Sequence, residues 1–306
     1  MTIIHNASHS NGVPMDTGSS LHEELSSFIA KINDSEIASI RTVASGLIRL
    51  LEDPAATMRQ FTDIIELDPP LTGKILARSN SVSCYSNRTI DDIEQAVLWI
   101  GLNNLKELAL HQKVCEVFIG GKELHGYSRL KLWKHSVAVA FFAKTLFRRE
   151  FGDPGGLAYS TGLLHDIGLI AIDQLLPGQF NAILTAVHEN GGDITCIEQE
   201  ILGFDHGLVG QALALDWELS RDMAACIGLH ADPFRPDVPE NKNAAAIYLA
   251  DQLCREQGFG YNEDHHADAQ TMEACQNLLG TSTEALELIL SETVEHMETM
   301  EEHGLV

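Results

Sequence analysis

A chain of 306 residues with 44% apolar content is long enough to bury a sizeable core without disulfides or a stapling metal. Asp and Glu total 44 against 20 Lys and Arg, a formal charge of −24 that opposes nucleic acid and anionic membrane surfaces as partners. No signal-peptide pattern occurs, no apolar run approaches the roughly 20 residues that span a bilayer, and the six Cys (Cys84, Cys115, Cys196, Cys226, Cys254 and Cys275) are scattered without a CxxC pair, so the expectation is a cytoplasmic protein with buried free thiols.

Residues 1–20 are rich in Ser, Asn, Gly and His with no apolar period, the composition of a disordered tail. From Leu21 onward helical periodicity recurs without an alternating strand or a hairpin signal, which predicts an all-α fold. Helices are expected near 21–33, 35–51, 57–67, 70–79, 90–100 and 102–118, then 129–150, 156–175, 178–190, 195–202, 206–216, 220–230, 242–257, 270–279 and 283–302. Thr195 with Glu198 has the spacing of a capping box, Thr89 and Ser220 suit N-caps, and Gly191-Gly192 and Gly258 suit C-terminal stops. Gly120-Gly121-Lys122-Glu123 divides an N-terminal helical lobe, 21–120, from a more apolar lobe, 121–258, followed by C-terminal helices over 259–306. In the first lobe Asp68-Pro69-Pro70 and Asn80 read as helix punctuation, and Lys74, Arg78 and Arg88 supply too little charge for a DNA reader. The last helix carries Leu286, Ile289, Leu290, Thr293, Val294 and Met297 on one stripe, which either covers the core or makes a homodimer contact.

Titratable residues interrupt the apolar helices of the second lobe. His135 precedes Ser136-Val137-Ala138-Val139-Ala140, His165-Asp166 lie within Leu157–Leu176, His206 begins a helix, His230 ends one, and Asp251 sits within Ala245–Ala250 and its continuation. A carboxylate among apolar residues costs several kcal/mol unless paired or metal-bound. Imidazole and carboxylate together suit Fe, Mn, Zn, Ni or Co, in one or two ions. His165 and Asp166 are consecutive on an expected helix, where their side chains diverge by about 100°, so that Asp166 can bridge toward a second ion while His165 holds the first. A metal-free reading stands beside this one: His165 and Asp166 as a hydrogen-bonded pair, and His206 and His230 as helix-terminal histidines. His188 reads as a half-buried histidine without a ligand role, and His5, His9, His22, His265, His266 and His303 as surface or tail residues.

Trp133-Lys134-His135-Ser136, Leu163-Leu164-His165-Asp166-Ile167-Gly168, Asp205-His206-Gly207-Leu208-Val209-Gly210 and Ala250-Asp251 resemble the HD superfamily of metal-dependent phosphohydrolases. With Leu50-Leu51-Glu52-Asp53-Pro54, Ile65-Glu66-Leu67-Asp68-Pro69-Pro70, Ala77-Arg78-Ser79-Asn80-Ser81 and Ile93–Gly101, the chain from about 25 to 255 resembles the HDOD domain. That resemblance implies an HD-like multi-helical bundle serving as an output or scaffolding module in bacterial signal transduction. His135, His165, Asp166 and Asp251 match the single-metal positions of HD hydrolases, and His206 and His230 match the added positions of two-metal members such as the HD-GYP branch. Leu169 stands where that branch carries Lys, no GYP motif follows His230, and Ala231 replaces an expected His. Phosphate-neutralising residues are thus not evident, and the expectation is a module acting mainly by binding a signalling protein or a small nucleotide or phosphate ligand. The alternative is an active phosphohydrolase in which Asp166 is the catalytic bridging residue.

Overall fold

The computed structural model describes residues 25, 27–32, 35–65, 67–82, 90, 92–236, 238–261 and 268–302. The expected tail, Cys84, Arg88, Thr89 and the histidines at 5, 9, 22, 265, 266 and 303 lie outside them. The described chain is all-α, with no strand among the described residues; an isolated antiparallel bridge joins Leu124 and Tyr127.

The first lobe comprises α1 (Glu36–Glu52), α2 (Met58–Ile65), α3 (Pro69–Val82), α4 (Ile93–Ile100) and α5 (Leu102–Cys115) with a 3-10 turn at Glu116–Phe118. α1 shows why this segment is helical: Ile37, Ile40, Ala44, Leu47 and Ile48 recur at helical spacing, all are buried, and they pack against α5. Asp68 accepts from the backbone N–H of Leu71 at the start of α3, and its other oxygen takes the Lys113 ammonium at 2.5 Å. Asn80 ties α3 to the following segment, donating to Leu76 and Ile90 carbonyls and accepting from the Ile90 N–H. Lys74 is paired with Glu116 at 3.0 Å.

The second lobe is built around α6 (Arg129–Leu146), followed by α7 (Gly156–Leu164), α8 (Ile167–Leu175), α9 (Pro177–Asn190), α10 (Ile194–Leu202), α11 (His206–Asp216), α12 (Arg221–Leu229) and α13 (Lys242–Cys254). α14 (Ala269–Leu279) and α15 (Thr283–Glu302) complete the chain. α6 is buried along most of its length and packs against α7, α13 and α15. Leu286, Ile289, Thr293 and Met297 are buried, so the stripe on α15 covers the core. One apolar cluster runs from Phe28 to Met297 and α1 also packs on α7, so both lobes share a core. No single described helix is long and apolar enough to cross a membrane. Cys226, Cys254 and Cys275 are buried free thiols, whereas Cys196 is exposed.

Three local expectations are corrected. The helix expected over 156–175 is broken at His165-Asp166: Asp166 has φ −97° and ψ 14°, outside helical geometry, and α8 begins after it. At Thr195 the helix is capped by Asp193, whose carboxylate accepts from the Thr195 N–H at 2.7 Å, and Glu198 is turned inward instead. His188 is exposed and stacks on His125 with ring centroids 4.4 Å apart. Ser220 does cap α12, accepting from the Met223 N–H at 3.3 Å.

Candidate metal centre

Six side chains reach one point from five elements. His135 comes from the interior of α6, His165 and Asp166 from the break between α7 and α8, His206 from the first turn of α11, His230 from the end of α12, and Asp251 from the interior of α13. All six are at most 3% exposed. The break explains the convergence: instead of diverging along a helix, the neighbouring side chains of His165 and Asp166 turn to a shared centre, with Nε2 and Oδ2 3.2 Å apart. Gly168 permits the packing behind it, since a Cβ there would stand 2.0 Å from the His206 carbonyl oxygen and 2.9 Å from the Gly210 nitrogen. Glycine at 168 is what lets α8 lie against α11.

The imidazoles are oriented from behind. Nδ1 of His135, His165 and His230 donates to the carbonyls of Phe259 (3.0 Å), Gly162 (2.7 Å) and Ile227 (2.7 Å), and Nδ1 of His206 donates to Glu198 Oε2 (2.7 Å). A carbonyl can only accept, so each Nδ1 carries the hydrogen and each neutral ring presents Nε2 as a lone pair. Those lone pairs face oxygen. His165 Nε2 and His135 Nε2 are 3.2 and 3.8 Å from Asp166 Oδ2, and His206 and His230 Nε2 are both 3.4 Å from Asp166 Oδ1. Asp251 Oδ1 lies 2.8 Å from His135 Nε2 and 3.8 Å from His165 Nε2.

Neither Asp166 oxygen has a hydrogen-bond partner, nor does Nε2 of His135 or His165, although all are buried. His206 and His230 turn their Nε2 atoms toward each other at 3.2 Å. Lone pairs converging in this way require a proton or a cation among them. With protons as the counter-charge, burial disfavours the His165 cation but the Asp166 and Asp251 carboxylates override it and lift the ring to about 9. Burial likewise opposes ionisation of Asp166 and Asp251, yet the facing imidazoles, and for Asp251 first the Arg255 guanidinium, hold both well below the usual carboxylate range. Burial pushes His135 down. A divalent ion satisfies the same oxygens while leaving the neutral tautomers intact, and the donor set fits it.

Two triads of ligand atoms meet this requirement, His135/His165/Asp166 and Asp166/His206/His230, with the atoms of each within 4.8 Å of one another. Asp251 joins the first. Asp166 belongs to both, one oxygen toward each, so all six sequence-derived candidates are brought together. Sequence reasoning missed Glu198 and Arg255. Glu198 is fully buried and clamps His206 by ring and backbone. Arg255 follows Asp251 by one helical turn, donating from Nε to Asp251 Oδ1 at 2.7 Å, with Nη2 3.8 Å from Asp166 Oδ2. The helix expected over 242–257 already places Arg255 on the face of Asp251 by its i, i+4 spacing, and that is the signal that could have found it. Leu169 is fully buried.

A cavity of about 150 Å³ leads to the centre, lined by His206, His230, Asp251 and Arg255 together with Asp193, Asp232 and Asp268.

Residues 37–233 match the family model described as HDOD domain. An uncharacterized protein of Treponema pallidum (strain Nichols) is 25% identical over 194 residues, 63% of this chain; the match spans 36% of that relative's length. Among solved structures, a candidate signal transduction protein of Marinobacter aquaeolei VT8 has a TM-score of 0.75 at 22% identity, covering 96% of this chain and 67% of that one. A candidate phosphohydrolase of Shewanella amazonensis SB2B has a TM-score of 0.61 at 21% identity, covering 86% of this chain and 90% of that one. At these identities the two likenesses establish the fold.

Proposed function

The chain belongs to the HDOD family, and from that premise we propose that it is a bacterial, cytoplasmic signal-transduction module: a helical scaffold that carries a divalent transition-metal centre and acts mainly by binding a protein or a small ligand. The observation that carries the reading is Asp166, a fully buried carboxylate whose two unpartnered oxygens each face a different pair of imidazole nitrogens. His135, His165, Asp166 and Asp251 would hold one ion, and Asp166, His206 and His230 a second. Bound there, divalent ions supply Lewis acidity and positive charge to an anionic group.

The chain's own residues favour binding over turnover of large phosphorylated substrates. Asp193, Asp232 and Asp268 line the approach and repel polyanions, and the cavity is small. A likeness to a candidate signal transduction protein supports the same reading. One observation favours a second reading, a metal-dependent phosphohydrolase: Asp166 belongs to both triads and would help hold both ions, which would supply Lewis acidity there, and Arg255 adds the cation the sequence pattern lacked.

Elemental analysis of untagged, chelator-free protein tests the centre, comparing wild type with a His165→Ala, Asp166→Ala double variant. Stoichiometric Fe, Mn, Zn, Ni or Co in the wild type, lost in the variant, is expected; a metal-free, well-folded wild type would remove it. Assays of the loaded protein on phosphomonoesters and cyclic dinucleotides then separate the readings, since robust turnover abolished by Asp166→Ala would overturn the binding role.

A further inference from the structure

Arg255 lies just beyond α13, and its side chain is 7% exposed. Nε donates to Asp251, Nη2 donates to the Tyr261 hydroxyl at 2.9 Å, and the guanidinium sits 4.5 Å from the centre of the Tyr261 ring. Nη1, buried, has no partner. A guanidinium carries five N–H donors in a fixed fork, and leaving a buried donor unpaired is costly unless an acceptor arrives. Arg255 also lines the cavity beside His206 and His230.

We propose that Arg255 is an oxyanion-binding residue: a small ligand bearing one phosphate or carboxylate head seats in this cavity, its oxygen accepting from Nη1 next to the metal centre. This deepens the ligand-binding reading above and rests on it. The size and charge of the cavity restrict the rest of the ligand. A space of about 150 Å³ holds the head and few further atoms, and anything larger must project out past the cavity walls. Asp193, Asp232 and Asp268 on its walls select a neutral or cationic remainder over additional phosphates. Asp251 keeps the guanidinium oriented through Nε while Nη1 is left without a protein acceptor, which divides the fork between a structural and a recognition role.

The test is calorimetric titration of the full chain, with metal content measured on the same samples, using inorganic phosphate and acetate as the two probe heads. Wild type is expected to bind one or both, the stronger identifying the head, and a cyclic dinucleotide is expected to bind more weakly than phosphate. Arg255→Met should weaken the oxyanion by about tenfold or more when affinities are compared at equal metal content, since the substitution also removes the Nε donor from Asp251. Arg255→Lys retains a cation for Asp251 but loses the fork, and should fall between the two. Equal affinity in wild type and Arg255→Met, or no binding of either probe by wild type at millimolar concentrations, would overturn the proposal. Should Arg255→Met fail to fold, undiminished affinity in Arg255→Lys would overturn it instead. Arg255-dependent phosphate binding by a wild type without metal would keep the subsite and sink the metal reading, whereas a metal-loaded protein whose binding ignores Arg255 does the reverse.

Discussion

One oxygen of Glu198 accepts two hydrogen bonds from His206, from the backbone N–H at 2.8 Å and from ring Nδ1 at 2.7 Å. The two contacts fix both the start of α11 and the ring's tautomer, so that Nε2 is left to face Asp166. A buried carboxylate behind a histidine ligand raises the ligand's basicity and holds its orientation, and losing such a partner typically costs 10–100-fold in metal affinity. Glu198→Gln is therefore expected to weaken the ion held by Asp166, His206 and His230 by about that factor, while the ion at His135, His165 and Asp251 is retained. Metal-to-protein stoichiometry after dialysis should fall from two toward one. An unchanged ratio would show that Glu198 has no part in the centre.

Asp166 and Asp251 are expected to differ in the same measurement. Asp166 gives one oxygen to each triad, whereas the imidazoles that Asp251 faces are those of His135 and His165, both in the first. Asp166→Asn should empty both positions, and Asp251→Asn only the first. If the two variants lose metal equally, the shared role of Asp166 is wrong.

Much of this arrangement was legible in the sequence, for a physical reason: the six converging side chains are charged or titratable residues inside apolar helices, and burial without a partner is too costly to be accidental. Helix boundaries were readable to within a few residues because Gly191 at φ 66° and the Ser220 cap mark them locally. The break at His165-Asp166 was not readable, since the apolar period of Leu157–Leu176 continues through it, and the close approach of Gly168 to the His206 backbone just after it is a tertiary contact. Glu198 was hidden for a related reason. Its spacing from Thr195 satisfies a local capping pattern, and what turns it inward is α11, eight residues on. Arg255 drew no expectation: its spacing from Asp251 puts it on the same helical face, but nothing local records that the chain after α13 folds back to place Tyr261 beside it.

Gly168 gives a prediction of its own. A methyl group there would overlap the His206 carbonyl oxygen and the Gly210 nitrogen, both backbone atoms that cannot rotate away. Overpacking against movable side chains costs about 1–3 kcal/mol, and separating two helices costs more. Gly168→Ala is expected to destabilise the fold by about 3 kcal/mol or more and to displace His206. The melting temperature should drop, and any folded fraction should carry less metal. Gly178→Ala, where a Cβ meets nothing within 4 Å, is the control and should melt like wild type.

The pH dependence of stability has a source away from the centre. His296 on α15 stacks on Phe141 of α6 with ring centroids 3.9 Å apart and planes within 8°. Burial, and then the charge of Lys144, push the ring down from 6.5 to about 4. In the unfolded chain the ring takes up a proton near 6.5, whereas the folded chain does not until about 4, so between these values the unfolded state binds more protons. Its contribution is fully present above pH 6.5 and is lost as pH falls toward 4, with a slope of at most about 1.4 kcal/mol per pH unit. His296→Phe keeps an aromatic ring over Phe141 and removes the titration. Chemical denaturation at several pH values should show wild type losing stability relative to this variant as pH falls through that window, with a constant difference above it. Parallel curves throughout would mean that His296 is protonated at no cost where it lies against α6.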